Sequence, residues 1–217
     1  MLNIKFIIML GVSLILTGNG CDSGVVRGSN RVASLERDLE PFDKILIDRV
    51  YEVTLQQGGK PKMTITADDN INPLIVARVE NNILRLDQLR GLQTKNPIKI
   101  KLVTPEIREI THASTANLYI SIVDQKTLTV NNKTVGPILA KGTVGHLTLN
   151  VEGEGSTIFS GLTAKSAQVT STGSARIDVF AGESIDVTNY GPGTITVYGK
   201  PKTVKEQNKG KGFIDIL

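Results

Sequence analysis

The stretch GSTIFSGLTAKSAQVTSTGSARIDVFAGESIDVTNYGPGTITVYGK, residues 155–200, repeats itself. Phe159, Ile177 and Ile195 follow one another at steps of 18, and Ile214 comes 19 residues later. Gly155-Ser156, Gly173-Ser174 and Gly191-Pro192 precede the first three at a constant offset. A second column, Val130, Leu149, Val169 and Val187, runs at steps of 19, 20 and 18. Each unit is a Gly-led turn, a short strand, another turn and a second strand. Such a unit cannot bury its apolar side alone, but stacked copies can. The expectation is an all-β parallel β-helix, or β-solenoid, with coils of about 18–20 residues. Phe159, Ile177 and Ile195 should share one interior row, and corner glycines should supply left-handed backbone. A β-sandwich also turns every 8–12 residues, but would not hold this register over four units.

Outward from this stretch the chain reads as strands. In Lys44 to Gln56, Ile45, Ile47, Tyr51, Val53 and Leu55 share one parity, with Arg49 the exception. Met63, Ile65 and Ala67 repeat the alternation, as do Ile98, Ile100 and Leu102, the period-2 pattern of a half-buried strand. Glu80-Asn81-Asn82 reads as a hairpin turn. The only helix candidate is a single turn near 70–76. Composition agrees. Hydrophobic residues are 40%, charged 21%, aromatic 4%, and Trp is absent, so the core must be Ile, Leu and Val, residues suited to stacked strands. The net charge of +4 over 217 residues, spread without a basic run, gives no reason to expect a nucleic-acid partner.

The first twenty residues read as an address. Lys5 is followed by an apolar run from Phe6 to Leu16, too short for the about twenty residues that span a bilayer. Residues 1–20 are therefore expected to be a signal peptide. The segment ends Thr17-Gly18-Asn19-Gly20-Cys21, with a small residue before the chain's one cysteine. That resembles a bacterial lipobox and makes Cys21 a lipidation candidate, with Gly18 departing from the usual Leu or Val. Residues 21–33 are expected to form a flexible linker, and 34–217 a single solenoid domain. The expected location is the cell envelope, or the medium if Cys21 carries no lipid, and any membrane contact would come only through that anchor.

Phe42-Asp43-Lys44-Ile45 after Gly28-Ser29-Asn30, the run Thr64-Ile65-Thr66-Ala67-Asp68-Asp69-Asn70, serial Gly-Ser turns and Tyr198-Gly199-Lys200-Pro201 together resemble a bacterial family. This is the "putative auto-transporter adhesin, head GIN domain" family, and the resemblance covers about residues 34–217. It implies a right-handed single-stranded β-helix and an adhesin-like role, with no established activity and no site residues to carry over. The turns Ala113-Ser114-Thr115, Gly173-Ser174-Ala175 and Gly191-Pro192-Gly193 depart from the family's Gly-Ser-Gly pattern.

No motif announces chemistry. Asp68, Asn70 and Asn72 have calcium-loop spacing, but Pro73 and Val79 stand where Gly and Glu are needed, so they read as a turn and no metal site is expected. His112 and His146 are the only histidines. Ser114 could share a strand face with His112, yet no orienting carboxylate accompanies them. Glu152, Glu154, Asp178 and Asp186 read as a solvated face rather than a hydrolytic pair. Few aromatic platforms for sugar are in sight. Residues 193–200, GTITVYGK, fail the phosphate-loop pattern. Lys200, Lys202, Lys205, Lys209 and Lys211 should blunt an exposed strand edge. No catalytic residue and no cofactor is expected. The function read from this is a non-enzymatic envelope protein whose polar outward ladder meets an unknown protein or glycan. The alternatives are a polysaccharide-active enzyme on a short β-helix, or a structural or regulatory lipoprotein.

Overall fold

A computed structural model describes residues 24–217. Cys21 and the expected signal peptide lie outside the described residues. In chain order the strands are β1 (Val26–Arg27), β2 (Val32–Asp38), β3 (Lys44–Ile47), β4 (Glu52–Gln57), β5 (Lys62–Asp68), β6 (Ile75–Glu80), β7 (Ile83–Gln88), β8 (Leu92–Gln93) and β9 (Lys99–Thr104). They continue as β10 (Glu109–His112), β11 (Leu118–Ser121), β12 (Gln125–Asn132), β13 (Ile138–Val151), β14 (Thr157–Ser171), β15 (Arg176–Asn189), β16 (Thr194–Tyr198), β17 (Thr203–Asn208) and β18 (Phe213–Ile216). A short 3-10 turn, Asn72–Leu74, stands where the single helical turn was expected.

The strands stack in parallel as two walls of one solenoid. The first wall runs β7, β3, β10, β12, β13, β14, β15, β17, and the second runs β9, β4, β11, β13, β14, β15, β16, β18. Strands β13, β14 and β15 bend and serve both walls. Inside the first wall, Leu84, Ile45, Ile110, Val130, Leu149, Val169 and Val187 lie directly over one another, all buried. The column expected from Val130 to Val187 is therefore a physical row.

The other expected row is displaced by two residues. Ile177, Ile195 and Ile214 are in register, but Thr157 lies over Ile177, and Phe159 lies over Val179. A bulge after Phe159 lengthens that coil to 20 residues, so a fixed step of 18 loses register there. A slip of two keeps the inward parity, and Phe159 is fully buried in the neighbouring row.

The corner between the walls explains the glycines. Gly153, Gly173, Gly191 and Gly210 stack, and a Cβ on each would overlap the carbonyl oxygen of the coil below: Thr134, Gly153, Gly173 and Gly191 respectively. The expectation of left-handed backbone there is corrected. Among the described glycines, positive φ occurs only at Gly142 and Gly199. What the corner demands is close approach. Asparagine then closes the turn: Asn189 accepts from the Gly191 N–H (3.1 Å) and donates to the Gly193 carbonyl (3.0 Å). Asn208 donates to the Gly212 carbonyl (2.7 Å) in the next coil.

Chain order departs from spatial order at the start. β3 pairs with β10 on one side and β7 on the other, and β4 likewise lies between β11 and β9. After β1 and β2 the chain thus enters the stack at β3 and β4, leaves it, and returns through β7 and β9 to build the end coil. That end is capped by antiparallel strands: β2 on β5, β5 on β9, and β6 on β7. The turn at Glu80-Asn81-Asn82 has φ of 52° and 63° at the two asparagines, the geometry of a tight hairpin. The linker expected at 21–33 is partly structured. β1 pairs with β8, and the Asn70 amide donates to the Arg27 carbonyl (2.8 Å), so the packed domain starts ahead of residue 34.

Gly173→Ala should destabilise the fold by about 1–3 kcal/mol or more, because the methyl enters occupied space. Gly59→Ala, with nothing within 4 Å of the added carbon, should leave stability near wild type. Urea denaturation of both checks this, and equal midpoints would refute the stacking argument.

Candidate functional site

The parallel stack sets which side chains reach solvent. Along the outside of the first wall, Thr111, Asn131, Asn150, Thr170 and Thr188 form a row at strand spacing, about 4.8 Å per step. The Asn150 amide donates to the Asn131 side-chain carbonyl at 2.9 Å. Beside this row, Asp186 pairs with Lys205 (2.7 Å) and Glu109 with Lys44 (3.3 Å). This is the polar ladder expected from the sequence.

The second wall is different. Tyr119, Leu139 and Ile158 lie over one another on its outer surface, at a groove of about 470 Å³ that Thr54, Ser121 and Lys141 also line. Farther along, Phe180 lies over Tyr198, and Phe213 is 69% exposed. Among the described aromatics only Phe42, Tyr51 and Phe159 are buried. The others, Tyr190 among them, sit at outward or corner positions. Aromatic platforms are therefore more numerous on the surface than composition suggested. A low aromatic count hides this. The signal that could have found it is parity within the repeat, since Phe180 and Tyr198 are each one residue from an inward position.

The structure separates the other residues singled out in the sequence. His112 is fully buried, above Ile47 and below Asn132 in an interior row, and Ser114 accepts from the Ala116 N–H at 3.1 Å. Burial pushes the His112 ring below the usual histidine pKa, opposed by the Ala116 backbone and the Asn132 side chain. His146 is not alone: its Nδ1 lies 2.8 Å from Ser166 Oγ on the exposed surface, one coil apart. Among the described residues, Ser166 is the side chain that bonds this imidazole, and it is not a carboxylate. Asp68 accepts from Thr94 (2.7 Å) and Asn96 (2.6 Å). Asn70 accepts from the Ser29 N–H (2.9 Å), and Asn72 donates to the Ala33 carbonyl (2.8 Å). The calcium-like triplet thus ties down the cap with its side chains diverging. Among the described residues, no three His, Cys, Asp or Glu side chains gather as a metal site.

The carboxylates do not converge. Glu152 and Glu154 are exposed at a corner. Asp186 faces out from the first wall and Asp178 from the second, where Arg176 grips it through Nε (3.2 Å) and Nη2 (2.9 Å). Residues 194–198 of the GTITVYGK stretch form strand β16. A depression of about 690 Å³ lies between the corner at Asp48–Tyr51 and the 92–98 segment. Tyr51 there donates to Gln88 Oε1 (3.1 Å), and burial pushes its phenol up to about 12. Lys209 stands over the Tyr190 ring, 5.1 Å from its centre.

Residues 41–201 match the family described as "putative auto-transporter adhesin, head GIN domain". The chain belongs to that family. Its fold is shared with solved structures. A putative adhesin of Bacteroides fragilis is 24% identical, with a TM-score of 0.72 over 88% of this chain and 100% of that one. A putative adhesin of Parabacteroides distasonis is 18% identical, with a TM-score of 0.56 over 89% and 100%. A putative lipid binding protein of the same organism is 17% identical, with a TM-score of 0.55 over the same shares. No curated protein matches the chain.

The buried histidine makes stability pH-dependent. Its pKa is depressed in the folded state, so the unfolded chain takes up the proton first, and stability present above pH 6.5 is lost as pH falls below it. The loss should approach about 1.4 kcal/mol per pH unit until the folded ring also titrates. Asp69, Asp87 and Glu106, lowered by bonds from Ser29, the Gln88 N–H and Arg108, stay charged in this window. Denaturation at pH 7.5 and 5.5 should show the decline in wild type and a flatter profile in His112→Asn. An equal decline in both would remove His112 as the cause.

Proposed function

We propose that this family member is an exported, non-catalytic envelope protein that binds its partner through the outer walls of the solenoid and is tethered by lipid at Cys21. The observation that carries the reading is the pair of continuous outer walls. Asp178 and Asp186, one on each wall, are engaged by Arg176 and Lys205, which supports a binding role over a hydrolytic one. The adhesin description of the family and of the solved relatives supports the same direction. Among the described residues no helix is long and apolar enough to cross a membrane, and a lipid at Cys21 supplies the attachment an envelope location asks for. Rows of Thr and Asn at regular spacing suit contacts that are individually weak and add through multiplicity.

Two experiments test this. A fatty-acid probe fed to cells should label the wild-type protein and leave Cys21→Ala unlabelled; an unlabelled wild type sinks the anchor. The exported protein, used as bait on envelope extract, should retain a protein or glycan and release no reducing sugar ends. Sugar release that follows the purified protein would replace the binding role with catalysis.

A further inference from the structure

The last three strands of the second wall carry an ordered outward grid. β15 presents Arg176, Asp178 and Phe180; β16 presents Thr194, Thr196 and Tyr198 opposite them; β18 presents Phe213 and Asp215 opposite Thr194 and Thr196. Neighbours lie about 4.8 Å apart across strands and about 6.6 Å apart along them. The middle row, Asp178, Thr196 and Asp215, is polar throughout. On one side of it lie the rings of Phe180 and Tyr198, and on the other Arg176, Thr194 and Phe213.

One side of the grid is preorganised. The Arg176 side chain is 66% exposed, while its partner Asp178 is only 6% exposed. Two guanidinium N–H groups are spent on that carboxylate, which with the Tyr198 hydroxyl nearby keeps the arginine charged. The fork is thereby held in one orientation, with its outer donors facing solvent. A surface arginine without such a partner would lose several rotamers on binding. This one has lost them already.

The arrangement decides between ligand classes. A protein-binding patch has an apolar centre and a polar rim. Here donors and acceptors occupy the centre, and rings stand at the flanks. A sugar chain needs that order, since its hydroxyls require directional partners while its C–H faces lie well on the electron-rich face of an aromatic ring. We propose that this grid is a glycan-binding site for a short stretch of neutral polysaccharide. Arg176, Thr196 and Asp215 bond its hydroxyls, Asp178 holds Arg176 in place from beneath, and Tyr198 and Phe213 support its ring faces. The proposal rests on the binding role argued above and names its ligand class and its site.

Affinity electrophoresis of the exported protein through gels containing dextran, xyloglucan or mannan tests it. At least one polysaccharide should retard the wild type, with Arg176→Gln and Phe213→Ala each weakening retardation about tenfold. Thr148→Ala on the first wall should bind as wild type. Circular dichroism and thermal melting confirm that each variant is folded, and Phe213 is exposed enough for its loss to spare the fold. No retardation by any of the three polysaccharides overturns the glycan site. If envelope capture then still succeeds, the binding role stands without it. Retention of a protein that both variants lose would reassign the same grid to a protein partner. Retardation unchanged in both variants would place the glycan elsewhere.

Discussion

Carbonyl-over-glycine stacking at the corner is the constraint from which the remaining geometry follows. Parallel strands joined at about 4.8 Å leave no room for a side chain where a corner points into the coil beneath. Gly153, Gly173, Gly191 and Gly210 meet that demand in succession. Once the corners coincide, the inward residues of each strand must fall on those of the next. Val130, Leu149, Val169 and Val187 then form a row without further specification. Asn189 and Asn208 satisfy the backbone groups that the turn leaves over, since buried polar groups without partners are costly.

Much of this was legible because a solenoid writes its fold into sequence spacing. The interior row from Val130 to Val187 follows from steps of 18 to 20, and the parity from Lys44 to Gln56 follows from alternation. What spacing could not carry was a change in coil length. The bulge after Phe159 moves that residue from the Ile177 row to the Val179 row, and Gly161 within it is the one local hint of the extra length. The inverted order at the start was also hidden. Strands β7 and β9 alternate as any solenoid strand does, and nothing local shows that they stack beneath β3 and β4 rather than above them. The pairing of His146 with Ser166 was within reach, since one coil separates them, but it needed the register of the first wall.

The two ends of the stack obey different physics. An open parallel edge exposes unpaired backbone groups and invites association. At the end where the chain begins, antiparallel β2, β5 and β6 cover the edge, and Asp68, Asn70 and Asn72 fasten the covering strands. At the other end, among the described residues, no strand pairs on the far side of β17 and β18. Val204 and Glu206 occupy inward positions there yet remain exposed. A carboxylate turned inward and lysines on the same coil discourage a further strand from adding.

The division between inside and outside is what frees the surface for recognition. Stability comes from Ile, Leu and Val in the interior rows and from glycine at the corner, and the fold asks little of an outward residue beyond strand propensity. Aromatic side chains would serve a core well, yet most of the described ones face out, where burial rewards them least. Tyr119, Phe180, Tyr198 and Phe213 all lie on the second wall, whereas the described strands of the first wall present no Phe or Tyr outward, but mainly Thr, Asn, Gln and charged residues, with Leu46, Ile83 and His146 among them. The fold does not account for that asymmetry, because both walls share the same backbone, spacing and interior. The difference lies in the outward residues alone, which is where the proposed binding role would act.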